Sequence, residues 1–340
     1  MHAVISAAPR YAALAHAEVA ERLPGGAALQ ALAPGVWLAS APGRFSEFAA
    51  ALRAAVFVRH ACPADREVAL PPAGVPGPEV ASALLPALRA ALPRPPAPPP
   101  QLQVRLLPGA PPWSPGALLA CLREALSAAG VPTSGARAPF VLSAVVADGR
   151  AFVGGAPGAA QLSPWPGGEA RLRACPGEVS RAARKLEEAL EVFGIPLRPG
   201  ARALDLGAAP GGWSAHLLAA GLAVTAVDPA ALAPAVAAHP ALVHLRGSAA
   251  SVPLPAGPFD LLTADLSWDP LRAVGAAARF RAVLAPGAPG VFTIKFFGRP
   301  PLQVVAEARL RLEASGYVVA AVRHLFHDRE EATAHLTAAR

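Results

Sequence analysis

Ten residues, DLGAAPGGWS at 205–214, constrain this chain more than any other stretch. The apolar run ARALDLG ends in a turn carrying Gly207, Gly211 and Gly212, and GGWSAHLLAAG follows with helical spacing. A strand that turns on glycines into a helix presents free backbone N–H groups at the helix N-terminus. Glycines also let a ligand approach the main chain. The spacing is not the G-x-G-x-x-G of dinucleotide folds. Pro210 stiffens the turn and removes one donor, so a pyrophosphate is less well served. Asp228 ends the next apolar run, LAVTAVD, and suits a pair of ribose hydroxyls. A nucleoside lacking a diphosphate fits best, and S-adenosylmethionine is the obvious one. A tight strand–helix corner without a ligand would use the same glycines; Asp228 favours the nucleoside.

The rest of the second half alternates strands with helices. SRAARKLEEALEVFG sets Leu186, Ala189, Leu190 and Phe193 on one helical stripe, with Ser180 as cap and Gly194 as stop. Strand ALVHLRG, strand PFDLLTAD, a helix from about Pro270 to Leu284 and strand GVFTIKFF come next. Helix LQVVAEARLRLEASG leads to YVVAAVRHLF, and a short HDRE turn leads to EATAHLTAA. This order predicts an α/β fold, a parallel sheet covered by helices on both faces. The last two strands, joined by so short a turn, are expected to be antiparallel.

The first half is less regular. AVISAA and GVWLASA alternate like strands and FSEFAAALRAA has helical spacing. The segment LPRPPAPPP (92–100) excludes helix and central strand and reads as an extended spacer. QLQVRLL, a helical LLACLREALSAAG, FVLSAVVADG and RAFVGG follow it. Residues 1–175 are therefore expected to form one or two α+β modules, with SPWPGGEARLRACPG (163–177) leading to a second domain over 176–340. Residues 1–175 carry 14 arginines against 9 acidic residues, while 176–340 carry 16 basic against 14 acidic residues. An excess of arginine suits a polyanion such as nucleic acid, although ordinary solvated charge reads the same way. Cys62, Cys121 and Cys175 are far apart and odd in number, which excludes a disulfide framework and fits a reducing cytoplasm. No metal-ligand spacing is visible. The N-terminus lacks the basic segment of a signal peptide, and Asp228, Pro229 and Pro234 interrupt the apolar stretch 215–243.

The chain has 28 arginines and only two lysines, Lys185 and Lys295. An ammonium in an apolar site can lose its proton and act as a base, which a guanidinium cannot. Lys295 closes the strand VFTI, Asp265 closes LLTA, and Glu331 opens the last strand. Any one alone reads as a solvated strand end. Together with Lys185 they form a set that one pocket at the sheet edge could gather.

DLGAAPGGWS resembles the cofactor loop of the FtsJ-like ribosomal RNA 2′-O-ribose methyltransferases. A doubly wound sheet ending in an antiparallel hairpin is the architecture of the Rossmann-like class I methyltransferases to which that family belongs. The resemblance implies a Lys-Asp-Lys-Glu tetrad. SRAARKLEEA gives its first lysine as Lys185, LLTADLS its aspartate as Asp265, and TIKFF its central lysine as Lys295. HDREEATAHL gives the glutamate as Glu331, with Glu330 the alternative. The resemblance also implies S-adenosylmethionine as cofactor, held by Gly207, Ala209, Pro210, Gly211, Gly212, Trp213, Asp228, Ser248 and Asp265. Ser248 stands where the family often has an acidic residue for the adenine, and Trp213 could stack on a ligand or pack its helix on the sheet. Within the family the RlmM type is most similar, through KLEEALEVFGI and LFHDREEATAHL. That type methylates a cytidine ribose of 23S rRNA and carries a THUMP-containing N-terminal region for RNA. At Ala182 this chain departs from it, since that type has a serine there.

The mechanism this implies is in-line transfer of a sulfonium methyl to a ribose 2′-oxygen, without a metal. Lys295 is the expected base, with neighbouring Lys185 disfavouring a second positive charge. A nucleotide-dependent oxidoreductase would need the dinucleotide motif and would not need two lysines. A non-catalytic RNA-binding protein and a 2′-O-methyltransferase of another RNA, such as tRNA, are the other readings.

Overall fold

A computed structural model of the chain describes residues 1–23, 28–72, 77–93, 98–109, 113–135, 137–173, 179–180 and 182–339. Residues 94–97 of the proline-rich spacer, and Cys175 with residues 174–177 of the connecting segment, lie outside the described residues. The chain divides into two compact units, Met1–Glu169 and Ala170–Arg340.

The first unit contains two four-stranded sheets. One comprises β1 (His2–Ala7), β2 (Ala28–Ala33), β3 (Val36–Ser40) and β4 (Val58–Pro63), with α1 (Ala12–Arg22) and α2 (Phe45–Leu52) between them in sequence. Its order is β2-β3-β1-β4 and every pairing is antiparallel. The other comprises β5 (Arg66–Ala69), β6 (Gln101–Leu106), β7 (Phe140–Ala147) and β8 (Arg150–Pro157), with α3 (Gly77–Ala90) and α4 (Pro115–Ala128). Its order is β5-β8-β7-β6, with only β6 and β7 parallel. The pattern of α+β is as expected, but α1, α3, β2, β4 and β5 were not. Pro86 sits inside α3, and a proline there removes a helical hydrogen bond. The helix persists because Val80, Leu84 and Leu88 are fully buried in one core with Leu118 and Leu122 of α4. Tertiary burial outweighs the local cost, since each buried leucine is worth about 1.5–3 kcal/mol.

The second unit begins with α5 (Ala182–Phe193) and β9 (Arg202–Leu206), and then α6 (Gly212–Ala219) and β10 (Ala223–Val227). It continues through α7 (Pro234–Ala237), β11 (Leu242–Leu245), β12 (Leu261–Ala264), α8 (Pro270–Phe280) and β13 (Pro289–Lys295). α9 (Pro301–Ala314), β14 (Tyr317–Arg323) and β15 (Glu331–Ala338) complete it. The seven strands run in the order β11-β10-β9-β12-β13-β15-β14. The first five are mutually parallel, and β15 is antiparallel to both β13 and β14. Because helices cover both faces, β12 and all of β9 after Arg202 are buried at every residue rather than at alternate ones. The residues joining β14 to β15 are 324–330, longer than the four-residue turn expected. The segment HLF there leaves the sheet: Leu325 N–H goes to the Asp328 carboxylate and Phe326 N–H to that of Glu188 on α5.

Parallel strands bring all their C-terminal ends to one edge. Gly207, Asp228, Ser248, Asp265 and Lys295 therefore come to the same edge, each closing or following one strand. β15 runs the other way, so its first residue meets the last of β13: Glu331 lies directly opposite Lys295 in the register.

Candidate active site

α5 brings Lys185 to this edge. Its N-terminus is capped by Ser180, whose hydroxyl accepts the Ala182 N–H at 3.1 Å. Gly194, at φ +66°, ends it, and Ile195 N–H reaches back to the Leu190 carbonyl at 2.9 Å. Both fit the expected cap and stop. Lys185 is buried on the inner face of α5, beside Leu186 and Ala189.

The four charged residues form a closed ring. Lys185 Nζ lies 3.1 Å from Asp265 Oδ2 and 2.6 Å from Glu331 Oε1. Lys295 Nζ lies 2.8 Å from Asp265 Oδ1 and also contacts Glu331 Oε2 directly. Each lysine therefore touches both carboxylates. Glu331 is buried and makes these contacts, whereas Glu330 is exposed and offers its carbonyl to Phe296 N–H at 2.8 Å. Thr293 hydroxyl donates to Asp265 Oδ1 at 2.9 Å and fixes that carboxylate from the strand next door.

Electrostatics in the ring departs from the simple picture of one lysine repelling another. Burial pulls the Lys185 ammonium down, but Asp265, Glu331 and Asp328 outweigh it and hold it above the usual lysine range. Burial pushes Asp265 up, yet the two lysines dominate and bring its carboxyl down to about 2. The resting ring is a balanced set of two cations and two anions. Of the lysines, Lys295 is the more accessible, its side chain 18% exposed against 8% for Lys185.

Three buried acids that the sequence reading did not single out surround the ring. Glu188 is 2% exposed and accepts Phe326 N–H at 2.7 Å, His327 N–H at 3.0 Å and His327 Nδ1 at 2.7 Å. It lies one helical turn after Lys185, so the face of α5 that presents the lysine also holds the 324–330 loop. Asp328 accepts Leu325 N–H at 2.9 Å and the Thr333 hydroxyl at 3.0 Å, and burial pushes its carboxyl above the usual range. Asp205 accepts the Ser214 hydroxyl at 2.7 Å and the Thr263 hydroxyl at 2.9 Å, and burial raises its carboxyl to about 6. A charged residue inside the apolar run RALDLG was the signal for Asp205.

The glycine turn is packed against the ring's own strand. Gly207 has φ +76°, and a Cβ there would come within 2.8 Å of the Asp265 carbonyl oxygen. Asp228 Oδ2 accepts Ala209 N–H at 3.1 Å and Oδ1 accepts Ala230 N–H at 2.8 Å. It therefore braces the turn and keeps only its remaining lone pairs for a ligand. Pro210 is exposed at the tip of the turn, while Gly211 and Gly212 are buried at the start of α6. α6 begins at Gly212, so its first-turn N–H groups have no intrahelical carbonyl and can hold an anionic group. Ser248 lies in the loop after β11, and its hydroxyl is taken by Ala250 N–H at 3.3 Å.

Of the two readings open for Trp213, the structure shows the packing one. It is 3% exposed within the core, and its indole N–H donates to the Ala182 carbonyl at 2.7 Å. It locks α6 to the start of α5 and offers no face to a ligand. A cavity of about 480 Å³ lies at the opposite edge of the sheet, lined by residues including Leu222, Asp260, Leu261 and Pro289. The ring contributes none of its lining. Among the described residues there is no cluster of His, Cys, Asp and Glu suited to a metal, and no helix is long and apolar enough to cross a membrane.

Residues 178–315 match the model of the FtsJ-like methyltransferase family. The second unit carries an FtsJ-like methyltransferase domain. Lys185, Asp265 and Lys295 fall inside the match, and Glu331 joins them from beyond it through the β13–β15 pairing. The chain is 40% identical over 219 residues to Ribosomal RNA large subunit methyltransferase M of Alkalilimnicola ehrlichii, covering 62% of this chain and 60% of that protein. The protein of the same name from Laribacter hongkongensis is 37% identical over 188 residues, covering 51% of this chain and 52% of its own. This chain thus spans between about half and three-fifths of the length of these relatives. Among solved structures, TrmN from Thermus thermophilus aligns over 99% of this chain and 100% of its own at 20% identity, with a TM-score of 0.39.

Proposed function

We propose that this protein transfers the methyl group of S-adenosylmethionine to a ribose 2′-hydroxyl of RNA, at a cytidine of 23S rRNA. The observation that carries the reading is the Lys185–Asp265–Lys295–Glu331 ring, formed at the sheet edge where the FtsJ-like domain carries its glycine turn. The two relatives named as large-subunit rRNA methyltransferases support the substrate.

The residues present fit the cofactor. First-turn N–H groups of α6 suit its carboxylate, Asp228 suits its ribose, and Asp265 supplies negative charge for its sulfonium. When bound, that sulfonium supplies an activated methyl group. Ala209, Pro210 and Ser248 would line the adenosine end, and Trp213 would act only by holding α6 in place.

Lys295 takes the hydroxyl proton as the oxygen attacks, because it is the more accessible lysine of the ring. Lys185 stays charged, held by its three carboxylate neighbours, and fixes Asp265 and Glu331 in place. With the cofactor bound, Lys295 Nζ would take the proton of the 2′-hydroxyl, and the sulfonium would give up its methyl from sulfur to that oxygen as a neutral thioether. The rest is positioning and exclusion of water. The first unit, with 12 arginines against 9 acidic residues, is read as a THUMP-like module that grips the RNA backbone.

The test is to incubate the protein with methyl-labelled cofactor and total RNA and to map the labelled nucleotide. Label on a ribose 2′-oxygen of 23S rRNA is expected. Lys295→Arg keeps the charge but removes a usable base, so transfer should fall by roughly 10²–10⁴ while the cofactor still binds. Near-normal turnover by that variant refutes the assignment of the base.

A further inference from the structure

Phe297 is the most conspicuous unexplained residue at the ring's edge. It is a large apolar side chain left 55% exposed, two residues past Lys295. Its backbone has φ +48°, a left-handed conformation that a bulky non-glycine residue adopts only under constraint. Among the described residues the other non-glycine with positive φ is Asp148, a type that tolerates such turns. Backbone strain held beside a site is itself a pointer to function.

Its neighbours impose the strain. Phe296 is 2% exposed, and its N–H is fixed to the Glu330 carbonyl at 2.8 Å. Its carbonyl accepts Arg299 N–H at 3.0 Å, closing a turn through Gly298 at φ +73°. With Phe296 sunk into the core and the turn closed, residue 297 is directed outward. Nothing in the described residues gives its ring an aromatic or cationic partner. Packing alone would be served by a polar residue or a glycine here.

The surroundings indicate what the ring meets. Arg299 Nη1 approaches Asp269 Oδ2 at 3.9 Å, which sets the loop after β13 beside the loop after β12. That second loop carries Trp268, with the Arg272 guanidinium 4.4 Å from its ring centroid. Aromatic faces and guanidinium groups flanking a catalytic edge are the makings of a nucleic-acid contact. A nucleotide drawn out of a structured RNA loses stacking on both faces, and an aromatic side chain replaces part of it. Residues 295 and 297 have Cα atoms at most about 7 Å apart.

We propose that Phe297 is the stacking platform for the base of the nucleotide whose ribose is methylated. This rests on the RNA-methylating reading above and assigns it a substrate-binding residue. The aromatic ring sets KM for RNA and leaves the cofactor site untouched.

The test measures methyl transfer to RNA by the full-length wild type and by Phe297→Ala, Phe297→Leu, Phe297→Trp and Phe297→Gly, together with cofactor affinity and thermal melting. Phe297→Ala is expected to raise KM for RNA by roughly 10- to 100-fold with kcat little changed and cofactor binding intact. Phe297→Trp should restore it and Phe297→Leu should not. Phe297→Gly relieves the backbone, so it should melt no lower than wild type while binding RNA as poorly as the alanine variant. A KM within twofold of wild type for the alanine variant, or equal rescue by leucine, overturns the stacking role and leaves the methyltransferase reading standing. So does a melting temperature several degrees lower for the glycine variant, or a wild-type dimer that the alanine variant dissolves. If the wild type itself labels no ribose in RNA, the underlying reading fails and takes this one with it.

Discussion

Asp205 shows how much a single residue can carry while touching no reactant. It lies 1% exposed in β9, between Ser214 on α6 and Thr263 on β12, and so ties the turn to both neighbours. Burial raises its carboxyl to about 6 from 3.8, the two hydroxyls offsetting only part of that. In the folded chain it therefore holds a proton at pH values where the unfolded chain has lost it. Stability from this group is full below about pH 4 and is lost as pH rises through 6. The contribution lost is about 3 kcal/mol, a shift near two pH units. Asp265 behaves oppositely: its stabilisation is complete above its unfolded value of 3.8 and disappears only as pH falls through about 2. Between pH 4 and 7 the two are thus separable. Asp205→Asn should remove its share of the stability slope in that window, read as the difference between wild-type and variant urea midpoints at pH 4.5 and 7.5. Identical slopes would show that Asp205 is ionised in both states. At this scale the lysines were legible because only two stand among 28 arginines. Asp205, Glu188 and Asp328 were not, because an acid is buried only where distant donors meet it, and those of Glu188 lie at 326 and 327.

Among elements, the pairing of β13 with β15 decides which glutamate enters the ring. The antiparallel register sets Lys295 against Glu331, and successive strand residues face opposite sides of a sheet. Glu331 therefore reaches both lysines while Glu330 points elsewhere, although the sequence offered the two side by side. Glu331→Gln should lower methyl transfer at least 100-fold, and Glu330→Ala should stay within about twofold, by initial rates on the same RNA. The reverse order would mean that the register slips by one residue in solution. α5, β9 and β13 were plain from periodicity, cap and stop. The 324–330 loop was not, since HLF reads as a continuing strand. The strand ends at Arg323 because Glu188 takes the backbone N–H groups of Phe326 and His327. That choice is made by α5, far away in sequence, and places Asp328 beside the ring. In the first unit, α3 shows the same thing in reverse: a proline argues against the helix, and the buried leucines decide for it.

The whole molecule consists of two units, each with cores of its own. The cluster around Leu217 and Leu222 draws only on the second unit, and the clusters around Leu84 and around Val4 only on the first. Residues 170–340 expressed alone should therefore unfold in one cooperative step and bind S-adenosylmethionine as the full chain does. Their affinity for RNA should be weaker and less sensitive to salt, because the twelve arginines of the first unit are missing. Equal RNA affinity and equal salt dependence in the two proteins would remove the first unit from RNA binding. The sequence by itself determined the alternation of strands and helices, the glycine turn, and a short list of charged residues at strand ends. Those depend on local periodicity and backbone freedom, which travel with the chain. Only the tertiary structure decided that the four charges close into a ring, that Trp213 belongs to the core, and that three further acids are buried around the site. Such facts depend on which donors and carboxylates meet after strands far apart in sequence have paired, and no local pattern records that.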